Sequence, residues 1–138
     1  MRTIDVAKVT ETVAQMCKNA AYYLPQDVYE GLKAGRETEK SPVGCVVLDQ
    51  IIKNAEIARE EDRPICQDTG YTIVFLEVGQ DVHFEGGDLQ QAVQDGVAKG
   101  YVEGYLRKSV VAEPLFTVKT PVTTLLVSFI QASFLATS

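Results

Sequence analysis

The chain has no tryptophan, one histidine, two methionines and three cysteines among its 138 residues, and each shortage closes a route. A single imidazole, His83, leaves little scope for a Ser/His or Cys/His nucleophilic system. Cys17, Cys45 and Cys66 share no repeated spacing and follow no apolar N-terminal segment. They do not form a secreted disulfide framework, and a cytoplasmic setting is expected. Cations are short as well: thirteen Lys and Arg stand against nineteen Asp and Glu, for a net charge of −6. That balance argues against a nucleic-acid or anionic-membrane partner, since both are held by clustered cations. Anionic small substrates stay open through local arginines. Glycine and proline are not in excess, which excludes collagen-like and disordered chains.

What is there is ordinary globular material, 46% apolar and 23% charged. A domain of this size removes roughly two thirds of its unfolded surface from water and needs no metal for stability. Any metal site would serve chemistry.

Helical spacing of Val6, Val9, Val13, Met16, Cys17 and Ala20 predicts a helix from about Ile4 to Ala21. Pro25 opens a short second helix carrying Val28 and Leu32, which Gly31 and Gly35 weaken and end, leaving Arg36 to Lys40 as a charged linker. Ser41-Pro42 pairs an N-cap with a first-turn proline and starts a helix to about Glu61, with Val43, Val47, Ile51, Ala55 and Ala58 on its core face. Tyr71 to Val78 is apolar on both faces and reads as a central strand. A turn at Gly79-Gln80-Asp81 and a short Val82-His83-Phe84 extension follow. Asp88 with Gln91 caps a helix to about Tyr105, buried through Leu89, Val93, Val97 and Tyr101. The class is α/β (α+β), N-terminal helices packed with a small sheet.

The densest functional group is Pro64-Ile65-Cys66-Gln67-Asp68-Thr69-Gly70. A thiolate is a soft ligand suited to iron–sulfur clusters or zinc, and an Asp two residues on can present a carboxylate to whatever the sulfur holds. Gln67 and Thr69 add neutral hydrogen-bonding groups, and Gly70 permits a sharp exit into the strand. From spacing alone a single Cys is not a metal site, and the heptapeptide reads more readily as a partly buried loop cysteine beside a helix-capping or turn Asp. Cys17 and Cys45 sit at helical positions and read as buried structural thiols. His83 reads as a turn or core histidine, Lys108 as a solvated neighbour of Arg107, and Gly86-Gly87 as a turn.

PICQDTG follows SPVG and VLDQIIKNAEIA and precedes YTIVFLEVGQDVHFEGGDL, with YLRKSVV further on. In that order and at those separations, residues 3 to 116 resemble the N-terminal alpha region of the class I iron–sulfur fumarases and L-tartrate dehydratases, with the fumarase-like branch nearer. The resemblance implies a 4Fe-4S cluster held by three cysteines, whose open iron activates the substrate hydroxyl in fumarate plus water ⇌ (S)-malate. It makes Cys66 the first cluster ligand and Asp68 the acid that protonates the leaving hydroxyl. Gln67 and Thr69 become substrate-binding neighbours, and Arg107 an arginine pairing with a substrate carboxylate. It also implies a beta subunit or region as partner, and an oligomer.

After Phe116 the composition changes. Residues 117–138 hold one charge, Lys119, no glycine and eight Ser or Thr. Nineteen uncharged residues from Thr120 reach the length of a membrane span, but Pro121, Gln131 and the hydroxyls weaken that reading, and no membrane role is expected. The family continues here with an RKNTGDNTP-type motif. Codons allowed for 117–138, read from their third base, give RKNTGDNTPGVIHTGIVPGDI. Residues 1–116 are therefore expected to be the N-terminal part of the alpha domain, and 117–138 an out-of-frame tail. The two further cluster cysteines would lie outside this chain, so the 138-residue product is expected to lack hydratase activity. The other readings are a truncated interaction domain, an L-tartrate dehydratase-type subunit, and a thiol redox or zinc module using Cys66.

Overall fold

The computed structural model describes residues 2–65, 72–108 and 127–134. In chain order these form β1 (Arg2–Asp5), α1 (Val6–Tyr22), α2 (Gln26–Thr38), α3 (Pro42–Glu60), β2 (Thr72–Gly79), β3 (Val82–Glu85), α4 (Leu89–Glu103) and β4 (Val127–Phe134). The α/β class is as expected from the sequence. The chain divides into two compact units, one of residues 1–17 with 68–138 and one of residues 18–67, and α1 runs from the first into the second.

In the first unit β1 pairs in parallel with β3, Ile4 opposite Phe84, and β2 pairs in parallel with β4 from Thr72 opposite Val127 to Gly79 opposite Phe134. Ile4 and Asp5, expected at a helix start, are strand instead. Pairing with β3 claims their backbone, and the Asp5 carboxylate accepts the Ala7 N–H at 2.8 Å where α1 begins. The expectation of a central β2 is also corrected. Among the described residues β2 has one neighbour, and its faces alternate, with Val74, Leu76 and Val78 half-buried but Phe75 72% exposed. His83 lies on the exposed side of β3 and belongs to neither turn nor core. Gly86 does make the expected turn, at φ +87°.

The core of this unit is the crossing of α1 and α4. Val93 and Val97 are 0% exposed, and Val13, Ala14, Ala92 and Tyr101 are buried with them. Gly96 and Gly100 permit the approach: a Cβ at Gly96 would stand 2.7 Å from the Thr10 carbonyl oxygen, and one at Gly100 would stand 2.7 Å from that of Ala14. The Thr10 hydroxyl donates to the Ala92 carbonyl at 2.9 Å, and Lys99 pairs with Glu11 across the same crossing. Leu89, expected in this face, is only half-buried.

In the second unit α2 and α3 form an antiparallel-type helical pair tied by polar groups. Arg36 Nε donates to Asp49 at 2.7 Å, and the Tyr29 hydroxyl donates to Glu56 at 2.9 Å. The expected stop at Gly31 and Gly35 is corrected, for α2 continues through both glycines to Thr38 and absorbs most of the proposed linker. A helix-interior glycine costs about 1 kcal/mol, too little to end a helix whose far end is held to a neighbour. Ser41 caps α3 as expected, its Oγ accepting the Gly44 N–H at 3.4 Å. The expected core face of α3 is buried only at Ala55 and Ala58, while Val43 is 73% exposed and Val47 and Ile51 are exposed with it.

Candidate functional site

Cys66, Gln67, Asp68 and Thr69 lie outside the described residues, and Arg107 lies within them. What the structure shows is how the chain enters and leaves their segments. α3 ends with Asp62 in the left-handed region at φ +51°, and the Arg63 N–H reaches back to the Ala58 carbonyl at 3.0 Å. That six-to-one bond is the signature of a Schellman stop, made here without the usual glycine. The Tyr23 hydroxyl donates to Asp62 Oδ1 at 3.0 Å, and this bond to a carboxylate holds the phenol above its ordinary pKa. Pro64 prevents the helix from resuming. Ile65, immediately before Cys66, donates its N–H to the Ala21 carbonyl at the end of α1 at 2.8 Å. Arg63 is paired with Glu61 at 3.1 Å.

The approach to Arg107 repeats the device. α4 ends at Gly104, Tyr105 takes φ +53°, and the Leu106 N–H donates to the Tyr101 carbonyl at 3.0 Å while the Tyr105 N–H points to Val102. Leu106 is buried, which anchors the backbone from which the exposed Arg107 leaves. A bulky aromatic at positive φ is strained by roughly 1–2 kcal/mol, and such strain gathers where a side chain must be aimed. The two helices that feed PICQDTG and Arg107 thus end in the same way, on a residue that is not glycine.

Tyr101 was legible in the sequence only as a core position. Its phenol oxygen accepts the Thr72 hydroxyl at 3.0 Å, and its own carbonyl accepts Leu106. One side chain therefore fixes the first residue of β2, two beyond Gly70, and its backbone fixes the residue before Arg107. A tyrosine at the buried end of a helix that is followed by a candidate arginine was the available signal.

The thiols of this chain do not make up a cluster site among the described residues. No three His, Cys, Asp or Glu side chains converge there. Cys17 is half-buried on α1, where desolvation pushes its thiol up and keeps it protonated. Cys45 Sγ contacts the Glu39 carbonyl at 3.5 Å. Both lie on helices as expected, but the expectation of buried thiols, with Cys17 in the core, is corrected, for each is only half-buried. A cavity of about 520 Å³ lies along β1, α1 and β2, lined by Val9, Val13, Met16, Val74, Leu76 and Val78. Arg107, the one expected site residue among those described, does not line it.

No helix among the described residues is long and apolar enough to cross a membrane. The sequence pattern of the family described as "Fumarate hydratase (Fumerase)" matches residues 10–125. A putative L(+)-tartrate dehydratase subunit alpha of Methanocaldococcus jannaschii is 37% identical over 105 residues, covering 75% of this chain and 37% of that protein. The L(+)-tartrate dehydratase subunit alpha of Escherichia coli K12 is 32% identical over 106 residues, covering 77% of this chain and 35% of that protein. The chain spans just over a third of the length of these curated relatives.

Proposed function

The chain belongs to the fumarate hydratase (Fumerase) family of hydro-lyases, and from that membership we propose that residues 1–116 are the front part of the alpha polypeptide of an iron–sulfur fumarate hydratase. The observation that carries this reading is the family match, which starts at residue 10, takes in PICQDTG and YLRK in order, and runs to residue 125, past the proposed boundary at 116. Asp68 is the acid that gives its proton to the departing malate hydroxyl so that it leaves as water, while a base supplied from elsewhere in the assembly takes the proton from the adjacent carbon as the double bond forms. Arg107 holds a substrate carboxylate by paired hydrogen bonds, with Gln67 and Thr69 donating beside it. Cys66 supplies one cluster thiolate, and the described thiols do not complete the set. A beta subunit or region completes the assembly, consistent with relatives that are named alpha subunits.

The tail is part of the proposal. Residues 117–138 are read out of frame, and the shifted reading supplies the family continuation. At the positions of β4 the shifted frame reads VIHTGIVP, five of whose eight residues are β-branched, a composition that favours a strand. The full enzyme is placed in the cytoplasm as an oligomer. A second reading, an L(+)-tartrate dehydratase subunit, is favoured by the names of the two relatives.

The test is anaerobic reconstitution with iron and sulfide. The 138-residue chain alone is expected to bind no cluster and hydrate no fumarate. A frame-restored alpha polypeptide with its beta partner is expected to do both, and Asp68→Asn should then lower kcat by about 10²–10⁴. Water loss from tartrate and none from malate would replace the first reading with the second. A frame-restored assembly with no iron–sulfur absorbance would end both.

A further inference from the structure

The second unit, residues 18–67, has a deficit that its own residues do not make good. Among its described residues only Ala55 and Ala58 are buried, and α2 buries none. Full burial of a Val, Leu or Ile stabilises by about 1.5–3 kcal/mol, and this unit takes that gain from no side chain larger than alanine. Yet the apolar material is present and arranged. Leu24, Val28, Leu32, Val47, Ile51 and Ile65 line a groove of about 540 Å³ between α2 and α3, with Gln50 and Asn54 as its polar members. Val43, Val47 and Ile51 follow one another four residues apart, so a continuous stripe of α3 leads into it.

We propose that this groove is one half of a domain core, and that its other half is an apolar segment of the same alpha polypeptide lying downstream of residue 116 in the family. Two observations choose that occupant. First, the matched relatives have nearly two thirds of their length beyond what this chain covers, enough polypeptide to close the groove. Second, the lining is aliphatic and amide, with no Arg, Lys, Asp, Glu or aromatic side chain among the described residues. Subunit interfaces are enriched in Tyr, Trp and Arg, whereas aliphatic lining free of charge is the composition of a domain interior. The inference rests on family membership and not on the reaction.

The test is amide hydrogen exchange across α2 and α3 in the 138-residue chain. The probe is the portion of the M. jannaschii alpha subunit that follows its matched segment, added to the chain or fused after Phe116 in place of 117–138. With the added portion at 100 times its Kd, exchange over residues 24–55 should slow about 100-fold. Val47→Asp and Ile51→Asp should abolish that slowing while leaving the helical circular dichroism of the chain alone unchanged. No slowing with the portion either added or fused overturns the inference. So does slowing that survives both variants, slowing that rises with the concentration of the chain alone, or slowing that needs a separate beta subunit. Slowing in the completed alpha polypeptide, with no hydratase activity once the beta partner, iron and sulfide are also supplied, would leave this inference standing and count against the proposed function alone.

Discussion

The α1–α4 crossing and the α2–α3 pair use similar apolar residues, and they use them differently. At the first, Val93 and Val97 are sealed by helices that approach until glycine is required at 96 and 100. At the second, valines and isoleucines at helical spacing stand exposed, and the helices are joined mainly by Arg36 with Asp49 and Tyr29 with Glu56. A Cβ added at Gly31 or Gly35 would meet nothing within 4 Å. One region has its packing partners inside the chain, and the other has a surface shaped for partners that the described residues do not provide. An amphipathic helix looks the same in sequence whether or not its stripe is covered, so only the burial separates the two.

Substitutions sharpen this contrast. The largest effect is expected from Gly100→Val, whose side chain must push against the Ala14 carbonyl and Cys17 Cβ; urea unfolding should show a loss of about 3 kcal/mol. Val97→Ala removes fully buried methyl groups from the same crossing and should cost about 2 kcal/mol by the same measurement.

Acid should act on the other region. Asp49 is held below its ordinary 3.8 by the Arg36 hydrogen bond, and Glu56 below its ordinary 4.5 by the Tyr29 hydrogen bond. Folded values below the unfolded ones mean that these ties are fully present above those ordinary values and are lost as pH falls through the lower folded values. Amide protection within α2 and α3, taken relative to the intrinsic exchange rate at each pH, should therefore fall in that acid window. The smallest effect belongs to Val47→Asp in the 138-residue chain, within about 0.5 kcal/mol because the side chain is already in water. A cost there as large as that of Val97→Ala would erase the distinction between the regions.

Local signals were legible in the sequence and distant ones were not. Ser41 before Pro42 and Asp88 before Gln91 are capping patterns whose chemistry is complete within four residues, and both caps formed. β2 could be read from its apolar and β-branched run, but its environment could not, because the number of neighbouring strands is not a property of one segment. β1 escaped notice since four residues are strand only through pairing with Val82–Glu85, far along the chain. α2 outran its glycines because Arg36 found Asp49 on another helix. Of the candidate site, PICQDTG and Arg107 were readable as motif residues. The paired Schellman stops at Asp62 and Tyr105, and the double role of Tyr101, depend on backbone conformation and on contacts across the unit.

The proposed shift of reading frame and the proposed downstream cover for α2 and α3 give the uncovered helices and the altered composition after Phe116 a single cause. Sequencing the coding DNA across codons 110–138 tests this most directly. A single-base shift near codon 117 that opens into RKNTGDNTPGVIHTGIVPGDI is the expected result. DNA in which no one-base shift near that codon yields this motif would contradict the account.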